Sequence, residues 1–440
     1  MVRRWFALAA LFPVFAFGAD RYVLRYTSSI PVSFKSSLAS LDGALVSIND
    51  GAGFAVVSDL SDAQAAKLAK DTGATDVLPD VGIRLRLGGL GEETDPHITL
   101  AAASSPADAL IYSWQWNMRA IGADKAWAAG RLGSRDVTVA VIDTGVSYEH
   151  PDLAGLVDLS RSVSFVPSDD ADVAALFPGR HPVTDLFFHG THVAATISSN
   201  AHLAAGVTSN VTIIGVKVLS RWGEGTFSGV LAGVLWAADH GADVANLSLG
   251  DTFPKDSNGR YVAMIQQAFN YARRKGTLMV VAAGNESRDL DHDGNSFNMY
   301  CNAANVVCVS ATGPQSADSV TGPFSDVDAF AGYSNYGRSA INVAAPGGTG
   351  AARIWAACSK TSLLVPYCQT TDNVLGIGGT SMAAPHVAGL AALIVEDVGH
   401  GHPSQVKARL QQSADDLGAP GVDPFYGHGR ISVPNALGLK

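Results

Sequence analysis

The chain has 440 residues, of which 47% are hydrophobic and 16% charged, and its formal net charge is −10. It is too apolar to be disordered and too acidic to present a nucleic-acid-binding surface, and its length calls for more than one folding unit. At the N-terminus Arg3-Arg4 precede the apolar run Trp5–Phe17, which contains Pro13 and is followed by Gly18-Ala19. This is the layout of a secretory signal peptide over residues 1–19, and the run falls short of the roughly 20 residues a membrane span needs. The expectation is a secreted, extracellular or periplasmic protein with no membrane association once the signal is removed. Residues 20–87 read as a small α+β unit: strands at Tyr22–Tyr26, Ala44–Ile48 and Phe54–Val57, a helix at Asp62–Lys70, then extended segments at Val77–Asp80 and Ile83–Leu87. Residues 88–110, rich in Gly, Ala, Ser, Pro and acids, read as an exposed linker open to proteolytic processing. Residues 111–440 form the largest unit, of a size that buries one α/β core.

Within that unit four segments carry chemistry. Val137–Ile142 is an apolar, β-branched run of the kind buried on both faces of a parallel sheet, and Asp143 follows at its carboxyl end, where open α/β sheets place their sites. His189-Gly-Thr-His-Val-Ala-Ala-Thr-Ile197 reads as a tightly packed helix with an imidazole in its first turn. Ser381 opens Ser381–Ile394, a helix apolar on nearly every side, so a hydroxyl sits at a helix N-terminus, where partial positive charge favours a developing anion. Leu278-Met-Val-Val-Ala-Ala-Gly-Asn285 is a second buried strand, ending in an amide. Aspartate, histidine and serine in this chain order supply an orienting carboxylate, a proton shuttle and a nucleophile. His192 and His386 read as core histidines, because no glutamate accompanies His189 and His192 as a zinc-protease helix requires.

These segments, in this order, resemble the subtilisin-like serine proteases. The resemblance implies a three-layer α/β sandwich around a mainly parallel central sheet. It also implies a serine endopeptidase acting on protein or peptide substrates through an acyl-enzyme. Asp143, His189 and Ser381 are then the triad, and Asn285 is the oxyanion-hole donor. Val244-Ala-Asn-Leu-Ser248-Leu249-Gly250 resembles the strand that pairs with extended substrate, so Ser248, Leu249 and Gly250 are expected at the substrate. Residues 20–87 resemble the family's inhibitory propeptide, a chaperone and inhibitor that the enzyme removes by self-cleavage within residues 88–110. A monomer is expected, with no nucleic-acid partner. Phe187-Phe188 stand where the family usually has a small residue before the histidine.

No cofactor is expected for catalysis. Structural Ca²⁺ has two suggested places. Asp152 matches an aspartate that binds calcium in many relatives, and Asp289-Leu-Asp291-His-Asp293 offers oxygen ligands at alternate positions, without a twelfth-position glutamate. Four cysteines, Cys301, Cys308, Cys358 and Cys368, suggest disulfides in a secreted chain. Of three pairings, Cys301–Cys308 with Cys358–Cys368 closes the shortest loops.

Overall fold

The computed structural model describes residues 3–4, 20–87, 92–94, 105–370 and 372–439; apart from Arg3-Arg4, the signal peptide expected over residues 1–19 lies outside them, as does much of the linker. The segment read as linker includes the short strand Glu92–Thr94 and a 3₁₀ turn, Pro106–Asp108.

The core of the large unit is a seven-stranded sheet, parallel throughout, in the order Val343–Pro346, Val306–Thr312, Leu278–Ala282, Val244–Leu247, Thr138–Asp143, Thr212–Lys217, Val163–Ser164. Strands buried on both faces have no polar side to show, which is why they are continuous apolar runs in the sequence. From Thr138–Asp143 the chain runs outward to the sheet edge at Val163–Ser164 and returns through Thr212–Lys217. It then crosses to Val244–Leu247 and proceeds in the opposite direction. The crevice beyond the carboxyl ends of Thr138–Asp143 and Val244–Leu247 is therefore the switch point at which such sheets bind ligands. Helices His189–Ile197 and Thr380–Val398 pack together against the sheet, while Phe227–Asp239 and Lys255–Arg274 pack as a second pair. Thr380–Val398 is long and apolar enough to cross a membrane, but it is buried through Val395 within the domain. Its uniform apolarity reflects a helix enclosed on every side.

Residues 20–87 fold as an antiparallel sheet in the order Ala44–Asn49, Phe54–Ser58, Tyr22–Arg25, Asp76–Pro79, with helices Phe34–Ala39 and Asp62–Thr72. Ser61 and Gln64 cap the second helix reciprocally, and Gly73, at φ 72°, ends it. One face of this sheet encloses its own core, including Leu24, Phe34, Leu60 and Leu68. The other, through Val23, Phe54 and Val56, joins the core of the large unit. Gln267 Nε2 donates to the carbonyls of Tyr26 at 2.8 Å and Ala52 at 2.7 Å across this junction. Buried Asp80 accepts from Ser228 N at 2.8 Å and Ser228 Oγ at 2.5 Å, holding a carboxylate at the N-terminus of helix Phe227–Asp239. The cysteines pair as Cys301–Cys308 and Cys358–Cys368.

Candidate active site

Asp143 and His189 are both fully buried, and His189 Nδ1–H donates to Asp143 Oδ1 at 2.8 Å, with Oδ2 at 3.0 Å. The strand end and the helix start come this close because residue 190 is glycine: a Cβ there would stand 2.2 Å from the Gly145 carbonyl oxygen and 3.1 Å from Asp143 Cβ. The imidazole's other nitrogen, Nε2, is buried and has no hydrogen-bond partner among the described residues. That leaves it free to accept a proton. Ser381, 5% exposed, lies in the first turn of Thr380–Val398 and donates through Oγ to the Ser248 carbonyl at 3.0 Å. A serine hydroxyl rotates about its Cα–Cβ bond, so this contact is one of its positions. Ser248 Oγ in turn donates to the Ser381 carbonyl at 2.8 Å and accepts from Asn246 Nδ2 at 2.9 Å, tying strand Val244–Leu247 to the serine.

Asn285 follows strand Leu278–Ala282 and uses both ends of its amide. Oδ1 accepts from Thr380 N at 2.9 Å and Thr380 Oγ1 at 3.0 Å. With the amide so oriented, Nδ2 donates to the carbonyl oxygen of Arg86 at 2.8 Å. A peptide carbonyl of the chain's own N-terminal unit thus lies in the pocket that Asn285 and Ser381 line. Ser248, Leu249 and Gly250 line the same pocket with Leu85 and Arg86. The backbone pairing of this segment is with another strand: Gly82–Arg84 runs antiparallel to Glu224–Thr226, extended by Leu85 N to the Gly223 carbonyl at 2.8 Å. Phe187 and Phe188, where the family usually has a small residue, stack at 4.5 Å between ring centroids and are buried.

Several residues of the site lack a sequence signal. Glu224–Thr226 is too short to show a period. Asp185 precedes His189 by four positions and is buried, and its carboxylate accepts from Thr144 Oγ1 (3.0 Å), Phe187 N (3.0 Å), Thr191 N (3.0 Å) and Thr191 Oγ1 (2.6 Å). Thr144 Oγ1 also accepts from Gly190 N at 2.9 Å, so one carboxylate fixes the turn after Asp143 against the helix of His189. Asp185→Ala strips four donors of their acceptor in a dry interior, and each charge-assisted bond is worth about 1.5–3 kcal/mol. The expected loss is at least about 3 kcal/mol, read as a lower urea midpoint at unchanged slope in a Ser381→Ala background that prevents self-digestion.

His192 and His386 are core histidines. His192 Nε2–H donates to the carbonyls of Ile354 (3.1 Å) and Leu375 (3.0 Å), and burial pushes its pKa down to about 3. His386 donates from Nδ1 to the Met382 carbonyl at 2.7 Å and accepts from Asn117 at 2.8 Å, with burial lowering it to about 4.

The expected calcium ligands do not fit a cation as they stand. Asp152 is fully buried, with its two oxygens accepting from Leu203 N (2.8 Å) and Ala204 N (3.1 Å). Asp289 accepts from the amides of Asp291 and His292 in its own loop, Asp291 from Ser339, and Asp293 faces Arg288 at 3.8 Å. These carboxylates turn toward separate protein donors, and among the described residues no three His, Cys, Asp or Glu side chains gather as a metal site. Alternation of acids along a loop gives ligand spacing without fixing where the side chains point.

The subtilase family model matches residues 134–429. A thermophilic serine proteinase of Bacillus sp. (strain AK1) is 32% identical over 351 residues, covering 79% of this chain and 73% of that protein. Thermitase of Thermoactinomyces vulgaris is 31% identical over 338 residues, covering 76% of this chain and 99% of that protein. The solved structure of the epidermin leader peptide processing serine protease (EpiP) from Staphylococcus aureus shares the fold with a TM-score of 0.73 at 22% identity, covering 95% of this chain and 97% of that one. The chain therefore belongs to the subtilase family and is a subtilisin-like serine endopeptidase.

Proposed function

We propose that this endopeptidase is a secreted enzyme that matures by cutting away its own N-terminal unit, with Asp143, His189 and Ser381 as its triad. Ser381 Oγ attacks the scissile carbonyl. His189 takes the hydroxyl proton at Nε2 and returns it to the leaving amine. Asp143 holds the imidazole in the tautomer that leaves Nε2 open and stabilises the imidazolium. Asn285 Nδ2 and the backbone N–H of Ser381 receive the oxyanion. Water then hydrolyses the acyl-enzyme by the same proton route. The observation that carries this reading is the bond from Asn285 to a peptide carbonyl of the N-terminal unit beside Ser381, with His189 already anchored on Asp143. Residues 20–87 act as the inhibitor and chaperone, residues 111–440 as the catalytic domain, and the mature enzyme as a monomer.

The reading gives catalysis no metal step. A fluorophosphonate is expected to label Ser381 stoichiometrically and abolish casein hydrolysis, whereas brief assay at low temperature in EDTA leaves hydrolysis intact. Immediate loss in EDTA, restored by zinc alone, would replace this mechanism with that of a metal hydrolase.

A further inference from the structure

The segment Ile83-Arg84-Leu85-Arg86 lies along the groove as a substrate would, and its side chains alternate in environment. Ile83 and Leu85 are buried, at 2% and 9% exposure, while Arg84 and Arg86 stand outward against carboxylates. The close approach at Leu85 depends on Gly223, whose φ is +70°; a Cβ there would meet Leu85 Cβ at 3.3 Å. Arg86 carries the carbonyl held by Asn285, which makes it the residue before the scissile bond. Its guanidinium lies 3.4 Å from Asp251 Oδ1 and 4.0 Å from Glu286 Oε1. Glu286 is held for this contact: Asn335 Nδ2 donates to its Oε2 at 2.8 Å, leaving Oε1 toward the arginine. Arg84 meets Glu224 at 2.5 Å on the strand with which the segment pairs.

We infer that the bond this enzyme cuts to mature is Arg86–Leu87, and that Asp251 and Glu286 make it select arginine or lysine before the scissile bond. The inference rests on the serine-protease reading above. In the first step the Ser381 Oγ–C bond forms at the Arg86 carbonyl carbon, the Arg86–Leu87 C–N bond breaks, and the proton held by His189 passes to the Leu87 nitrogen. Water then gives the Arg86 carboxylate and frees Ser381. This bond lies just ahead of residues 88–110, where composition alone places processing; the deciding feature is which carbonyl reaches Asn285. The same contacts define the substrate class: polypeptides with a basic residue before the bond and apolar residues at the second and fourth positions. The carboxylates lie at the pocket rim and Arg86 remains 58% exposed, so the selectivity is electrostatic and sensitive to salt.

In a time course of the purified full chain, the first product is expected to begin at Leu87, and Arg86→Glu is expected to slow its appearance at least tenfold. The mature enzyme is expected to favour acetyl-Ile-Arg-Leu-Arg-aminocoumarin over its Phe counterpart in kcat/KM. The Asp251→Asn/Glu286→Gln pair is expected to lower that Arg:Phe ratio about tenfold, and 1 M NaCl to lower it in the wild type. A first product beginning elsewhere, or an active enzyme whose ratio is indifferent to both the substitutions and salt, overturns the inference and leaves the serine mechanism standing. An enzyme that cuts neither peptide and takes up no fluorophosphonate overturns both.

Discussion

Ser381→Ala is expected to reduce peptide hydrolysis by about a millionfold, the scale set by removing a triad member in subtilisins, and to leave the N-terminal unit attached. The alanine lacks the only oxygen that can become the acyl ester, so no rearrangement of His189 or Asp143 compensates. What remains is the oxyanion donors and substrate binding, which act on a far slower attack by water. The fold is expected to persist, since the substitution removes one hydroxyl whose partner is the Ser248 carbonyl, and that carbonyl loses only this bond. Circular dichroism and the urea midpoint of the precursor therefore check that the loss is chemical. Mass spectrometry of the two chains made side by side in a protease-free translation system provides the decisive reading: the wild type shortens and Ser381→Ala keeps its full N-terminal unit. Equal shortening of both would show that another protease matures the chain.

The parts of the fold that are legible in the sequence are those whose environment is uniform along the segment. Val137–Ile142 and Leu278–Ala283 are apolar on both faces because each strand lies inside a parallel sheet, and the residue that ends each run is placed at the carboxyl edge by topology alone. The pattern of apolar residues is therefore enough to locate Asp143 and Asn285. His189 and Ser381 are legible for the converse reason, as polar groups at the start of helices otherwise packed with small and apolar residues. Contacts between distant segments are not legible. Glu224–Thr226 has only three residues, and its partner is more than a hundred residues away at Gly82–Arg84. Asp185 is a single carboxylate in an apolar stretch, with nothing local to show that four donors converge on it. The suggested calcium ligands show the converse: their spacing is local and visible, but the carboxylates of Asp152 and Asp291 are directed by Leu203, Ala204 and Ser339, far away in the chain. Asp251 and Glu286 are adjacent in sequence to residues assigned to the site, yet their common facing toward Arg86 emerges only once the N-terminal unit lies in the groove.

Asn285→Leu, which keeps the volume and removes the donor, is expected to lower kcat by about a hundredfold to a thousandfold with little change in KM, as loss of the corresponding donor does in subtilisin. The ground-state carbonyl accepts only an ordinary hydrogen bond from Nδ2, whereas the tetrahedral intermediate carries a full charge on that oxygen; an interaction made stronger in the transition state appears in kcat. Here the amide has a second task, because Oδ1 accepts from Thr380 N and Oγ1 and so fixes the first turn of the helix that carries Ser381. Leucine removes both functions at once. Thr380→Val separates them: it removes the hydroxyl bond to Oδ1, together with the bond that hydroxyl accepts from Gly284 N at 3.1 Å, and leaves the backbone one, so a kcat loss below about tenfold is expected if stabilisation of the oxyanion dominates. Comparable kcat losses in the two variants would assign Asn285 mainly to holding the serine in place. A change confined to KM in Asn285→Leu would move it from the oxyanion to the binding of substrate in its ground state.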